Sequence, residues 1–163
     1  MPSARQHIYR TELVWTGNVG TGTDSYRSYR RTHEVTAPGT PVIAGSADPH
    51  FRGDADRWNP EQMLLAALSQ CHMLSYLHLC AVNGVVVTGY TDRAEGTMIE
   101  TPDGAGHFTE AVLRPEVEVA SPDMLDLAHA LHERAQELCF IANSVNFPVH
   151  HAPTARPVPT SPA

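Results

Sequence analysis

From Asn59 to Ala81 the chain reads Asn-Pro-Glu-Gln-Met-Leu-Leu-Ala-Ala-Leu-Ser-Gln-Cys-His-Met-Leu-Ser-Tyr-Leu-His-Leu-Cys-Ala, its longest apolar stretch. Asn59 is a favoured N-cap, Pro60 suits the first helical position, and Glu61 sits where the helix dipole favours an anion. Gly84 is the expected stop. Leu64, Leu65, Leu68, Leu74, Leu77 and Leu79 keep to no single narrow stripe, so the helix should be covered nearly all round. Gln70, His72, Ser75 and His78 make it too polar for a membrane span. The rest of the chain must therefore build a core around this one helix.

A length of 163 residues fits one domain with a sizeable core, and a formal net charge of -7 argues against a nucleic-acid binder. The segment from Met1 to His7 lacks the apolar run of a signal peptide, so a cytoplasmic protein is expected. Three cysteines at wide spacing make no disulfide framework.

Ahead of the helix, His7 to Trp15 reads as a strand, Thr16 to Thr23 as a turn, and Tyr26 to Val35 as the returning strand. Residues 37–41 turn the chain, Val42 to Ala44 is a third strand, and Gly45 to Trp58 is a surface loop. Past Gly84, a long strand from Val85 to Ile99 with a bulge at Gly89 turns at residues 101–106 and returns from Phe108 to Val119. Ser121-Pro122-Asp123 starts a second helix, whose apolar positions run from Met124 to Leu138 and which ends near Cys139. A further turn lies within Phe140 to Val145, a short strand follows at Phe147 to Val149, and residues 152–163 read as a disordered, proline-rich tail. The order βββ-α-ββ-α-β implies an α+β fold with two main helices.

Cys71 and Cys80, nine residues apart, face opposite sides of the helix and lie about 13 Å apart along its axis. A disulfide needs Cα atoms roughly 4.4–6.8 Å apart, so these two cannot pair. Cys80 reads as a small core hydrophobe, while Cys139 can meet Cys71 if the two helices pack together. All three thiols can equally be buried and inert. Glu61 is about 15 Å from Cys71 along the helix and can approach it only across a two-fold axis. His129 and His132, and the adjacent His150 and His151, lack zinc-site spacing and read as solvated.

The set formed by Asn59-Pro60-Glu61, Cys71 ten residues past the glutamate, and Cys139 in Cys139-Phe140-Ile141-Ala142-Asn143 resembles the OsmC/Ohr family over roughly residues 8–150. Trp15-Thr16-Gly17-Asn18, Gly45-Ser46-Ala47-Asp48-Pro49 and Ser69-Gln70-Cys71-His72-Met73 add to the likeness. The resemblance implies a single OsmC-like domain over residues 1–151, with antiparallel sheets, a buried central helix and an intertwined homodimer. It implies a thiol peroxidase of oxidative stress defence that reduces organic hydroperoxides without metal or organic cofactor. Cys71 would be the peroxidatic thiolate, Cys139 the resolving thiol, and a dithiol such as a lipoyl group the reductant. An arginine held by Glu61 would steady the thiolate; Arg52 matches that position, with Arg27, Arg30 and Arg57 as alternatives. Neither a membrane nor a nucleic acid is implied as a partner. A competing reading is a dimeric binding module for a small apolar ligand, with incidental cysteines.

Overall fold

The computed structural model describes residues 4–159. Two compact units divide the chain, residues 1–63 and residues 64 onward.

The first unit is an antiparallel sheet of β1 (Glu12–Trp15), β2 (His33–Thr36) and β3 (Ile43–Gly45), in that order. Leu13 faces Val35 and Val14 faces Glu34 across β1 and β2. Both strands are shorter than the β-branched runs suggest, because residues 17–31 leave the ladder as a turn-rich excursion. Asn18 Oδ1 accepts from the amides of Gly20 and Gly22 at 2.9 and 3.0 Å, and the Trp15 indole donates to the Arg30 carbonyl at 2.9 Å. After β3 the chain makes a 3-10 turn, Pro49–Phe51, capped by the Asp48 carboxylate through the His50 amide at 2.7 Å.

The long helix α1 spans Pro60–Val82. Its start is a reciprocal cap: Gln62 N–H donates to Asn59 Oδ1 at 2.8 Å, and Asn59 N–H donates to Gln62 Oε1 at 3.3 Å. Its stop is Gly84, at φ 77°, a left-handed conformation that costs glycine nothing. By length and a mean hydropathy of 1.3, α1 could cross a membrane. Its buried residues within this chain are Leu68, His72, Tyr76 and Cys80, one every four positions. That single stripe corrects the expectation of cover all round, and Leu74 on another face is 63% exposed.

The second unit builds on two hairpin arms, each broken once. β4 (Val87–Asp92) and β5 (Glu95–Glu100) replace the expected strand from Val85 to Ile99, and β6 (Gly106–Leu113) and β7 (Pro115–Val119) replace its return. Asp92 Oδ1 accepts the Arg114 amide at 2.7 Å in place of a ladder bond, and Pro115 has no amide to offer. The two arms therefore part here into separate sheets, β4-β7 and β5-β6. The bulge sits where Gly89 suggests, as a register shift between Val87 and Gly89.

Pro122–Met124 forms a 3-10 turn leading into α2 (Leu125–Leu138). Ser121 makes no capping bond; its hydroxyl is held by Asp123 instead. After a 3-10 turn at Ala142–Ser144, β8 (Val149–His151) pairs parallel with β6, and β9 (Thr154–Pro157) pairs parallel with β7. The sheets are thus mixed and not purely antiparallel, since strands that return after a helix crossover arrive in the same direction. β9 also corrects the disordered tail: residues 154–157 complete the sheet β4-β7-β9. Pro157 sits on an edge strand, where its missing amide costs little. Residues 1–3 and 160–163 lie outside the described residues.

The core lies in this second unit. Tyr76, Cys80, Val117, Val119, Ala128 and Ala135 form one buried cluster, and Leu68, Ala111, Leu113 and Val149 another. Truncation after Ala152 is expected to uncover one edge of the sheet that backs Val117 and Val119. It should lower the melting temperature by several degrees, at about 2–4 °C per kcal/mol for a chain of this size. A melting curve unchanged by the truncation would restore the disordered tail.

Candidate active site

Cys71 occupies the middle of α1, part-buried, and lines a cavity of about 630 Å³ with Ala67, Gln70, Leu74, Ser75, His78, Leu138 and Phe140. The walls are chiefly apolar, and Phe140 is 77% exposed at this surface. Cys139 caps the C-terminal end of α2, is 1% exposed, and lies within hydrogen-bonding reach of Cys71. Both thiols are free. Cys139 turns the chain from α2 into the 3-10 turn, and its sulfur accepts the Ala142 amide at 3.4 Å.

Burial first, and then the hydrogen bond to Cys71, push the Cys139 thiol up to about 11; the amides of Ala142 and Ile141 pull the other way without prevailing. Cys139 is therefore held as a thiol at neutral pH. The cavity meets Cys71, while Cys139 sits out of solvent and beside it. Cys80 is 1% exposed, its thiol raised by burial with the Tyr76 hydroxyl as a partial offset. It lies in the core, as the helix geometry requires.

Glu61 belongs to a separate cavity of about 390 Å³ in the first unit, lined among others by Trp15, Tyr29, Arg31, Asp48 and Phe51. Its Oε2 is buried with no hydrogen-bond partner among the described residues. Arg52 does not line this cavity and makes no ion pair with Glu61 among the described residues; its guanidinium lies 5.9 Å from the Tyr26 ring. Arg52 is also the one non-glycine at positive φ among the described residues, at 65°. The next residue must be small, because a Cβ on Gly53 would fall 1.6 Å from the Ala47 carbonyl oxygen. The arginine that shares Glu61's cavity is Arg31, which none of the sequence alternatives included. Its guanidinium donates to the carbonyls of Tyr26 and Tyr29, each at 2.6 Å, and stacks on both rings at 4.4 and 4.1 Å. The Arg30-Arg31 pair beside two tyrosines was the only sequence signal for it.

Several histidines differ from the solvated reading. His72 and His132 are 1% and 3% exposed, and His151 is half-buried, whereas His129 and His150 remain exposed. The buried set was missed because a helix face at i, i+4 carrying Leu68, His72, Tyr76 and Cys80 becomes visible only once its packing is known.

The family model of OsmC-like protein matches residues 53–152. The chain belongs to the OsmC-like family. An OsmC-like protein of unknown function from Vibrio cholerae O1 biovar eltor superposes with a TM-score of 0.81 at 32% identity, over 91% of this chain and 100% of that one. The uncharacterized protein YmaD of Bacillus subtilis (strain 168) is 24% identical over 142 residues, 85% of this chain and 87% of that protein. An organic hydroperoxide resistance protein from Elizabethkingia anophelis shares the fold, with a TM-score of 0.65 at 17% identity over 93% of this chain and 98% of that one.

Brief treatment of the reduced protein with iodoacetamide at pH 7.5 should modify Cys71 roughly tenfold or more faster than Cys139 or Cys80, since reactivity follows thiolate character and access. Peptide mass spectrometry reads the order, and faster labelling of Cys139 would reverse the two environments.

Proposed function

We propose that this OsmC-like protein is a thiol peroxidase that reduces organic hydroperoxides in the cytoplasm. The observation that carries the reading is the free Cys71–Cys139 pair, in which one thiol lines an apolar cavity and the other is buried beside it. Cys71 attacks the O–O bond as a thiolate; its sulfur is oxidised to the sulfenic acid, and the alkoxide leaves and takes a proton to become the alcohol. Cys139 then attacks the sulfenyl sulfur, loses its own proton and releases water, which leaves a Cys71–Cys139 disulfide. A dithiol, a lipoyl group in this reading, restores both thiols by exchange. The apolar walls favour a peroxide with an organic tail.

Because Cys139 is held as a thiol, it does not compete with Cys71 as the first nucleophile. The cation that steadies the thiolate and the leaving alkoxide is assigned to an arginine anchored by Glu61. Arg31 is preferred to Arg52 because it shares Glu61's cavity and is held in place by two carbonyls and two rings. Glu61 approaches Cys71 of a second copy in a homodimer with two-fold symmetry, in keeping with the separation of the two residues along α1. Exposed Leu74 and Phe140 at the thiol cavity are consistent with such a partner.

Peroxidase assays with an organic hydroperoxide, comparing a dihydrolipoyl compound with glutathione, test the reading. Cys71→Ser should abolish turnover, and Cys80→Ala should leave it nearly intact. Cys139→Ser should react once and then climb to the sulfinic acid under excess peroxide. A Cys71–Cys80 peptide in the oxidised wild type, or equal losses in Cys71→Ser and Cys80→Ala, would overturn the roles.

In the same assay Arg31→Ala should slow the first step by about 10² to 10³, the usual effect of losing one charge-stabilising donor. Arg52→Ala should stay within a few-fold of wild type. The reverse pattern would return the role to Arg52.

A further inference from the structure

Three histidine rings and a tyrosine form a ladder in the core of the second unit, with no part in the thiol chemistry. His72 Nε2 lies 2.9 Å from His132 Nδ1, and their rings are nearly parallel, with centroids 5.3 Å apart. Tyr76 stacks on His132 at 3.9 Å and donates to the Ala128 carbonyl at 2.9 Å. His151 covers the other side of His72 at 4.2 Å. The ladder thus ties α1 to α2 and to β8. His72 follows Cys71 directly in α1, and α2 ends at Cys139, so the elements it joins are the two that carry the thiol pair.

We propose that the His72–His132–His151 stack is an acid-sensitive latch: neutral rings lock α1 to α2 and β8, and protonation releases them.

The hydrogen bond between His72 and His132 needs one ring nitrogen as acceptor, whichever ring donates. The two facing nitrogens share one proton and cannot each carry one. Its outward nitrogens, His72 Nδ1 and His132 Nε2, are buried without partners, as is His151 Nδ1, so a charge formed there meets no acceptor. The surroundings act the same way. Burial first, then the neighbouring histidine charges, lower His72 to about 3 and His132 to about 4. The groups facing the stack are Tyr76 on α1, Tyr90 and Asp92 on β4, His129 on α2 and His150 on β8. Among the described residues only the Asp92 carboxylate favours a charge, and it acts on His151; that carboxylate is already bonded by the Ser69 hydroxyl at 2.5 Å and the Arg114 amide at 2.7 Å. His150 is itself paired with Glu110 at 3.7 Å. Protons have a route: a cavity of about 350 Å³ lined by His129, His132, Glu133, Gln136, His150 and His151 reaches the edge of the stack.

The sign follows from linkage. A histidine depressed in the closed form and near 6.5 when released adds stability that is full above pH 6.5 and is lost as pH falls toward its closed-form value. Between pH 7.5 and 5.0 each such histidine favours opening roughly 30-fold, so the His72–His132 pair contributes on the order of 10³.

Hydrogen exchange of the reduced full-length protein, read by mass spectrometry on α1 and α2 peptides and corrected for intrinsic rates, tests the latch without reference to peroxide chemistry. Wild type should show that rise in the opening constant between pH 7.5 and 5.0. The double variant His72→Leu, His132→Leu removes both titrating rings of the pair and leaves neither partner orphaned, so its exchange should be nearly flat with pH. An equal rise in the double variant, or no rise in wild type, overturns the proposal. Should the double variant fail to fold, imidazole NMR titration of wild type decides. The latch requires two rings that stay neutral from pH 7.5 to 5.0, and protonation of every ring near pH 6.5 with α1 still protected would refute it.

Discussion

The second unit depends on the burial of one stripe of α1. Leu68, His72, Tyr76 and Cys80 fall every four residues and face the core, and each packs against a different part of the surrounding structure. Leu68 belongs to the cluster with Ala111, Leu113 and Val149, while Tyr76 and Cys80 belong to that of Val117, Val119, Ala128 and Ala135. His72 contributes polarity where a leucine would give only area. A fully buried apolar side chain stabilises by about 1.5–3 kcal/mol without caring about pH. A buried imidazole stabilises only while it is neutral and hydrogen-bonded. The choice of histidine at the centre of the stripe makes the packing of this helix conditional on proton activity.

The same helix separates two thiols by chemistry as well as by direction. Cys71 and Cys80 share one backbone, yet Cys80 ends in the core beside Tyr76, and Cys71 ends at the wall of an apolar cavity. Cys139 reaches Cys71 because α2 stops where it does. Its position as the C-cap, followed at once by a 3-10 turn, places it in the interior and beside the first thiol. Burial sets Cys139 apart, since the desolvated thiol resists ionisation, while Cys71 is reached from the cavity. The OsmC-like protein from Vibrio cholerae is of unknown function, and YmaD of Bacillus subtilis is uncharacterized.

Glu61 shows how a motif can be legible in the sequence while its partner is not. The acidic first turn was plain from Asn59-Pro60-Glu61, and the reciprocal cap with Gln62 explains why the helix starts there. The arginine beside it was not plain, because five arginines crowd residues 27–57 and only the fold of the first excursion distinguishes them. Arg31 reaches Glu61's cavity because residues 17–31 leave the ladder and turn back, with its guanidinium wedged between the rings of Tyr26 and Tyr29.

What the sequence by itself determined were the local elements whose signals act within a few residues. The limits of α1 follow from a cap, a proline and a glycine; the turn at residues 101–106 and the bulge at Gly89 follow from backbone permissiveness; the α+β class follows from their order. The impossibility of a Cys71–Cys80 bond follows from helix rise alone. The tertiary structure decided everything that needs two distant segments at once. It broke the long strands at Asp92 and Pro115, because a side-chain bond to the Arg114 amide replaced the ladder. It ordered residues 154–157, because β7 offered an unpaired edge that a proline-rich segment could still take. It buried His72 and His132 and half-buried His151, because α1, α2 and β8 converge there and each supplies one ring. Propensity and periodicity describe what a segment prefers alone, whereas these outcomes depend on which neighbour supplies the missing hydrogen bond or takes the water away.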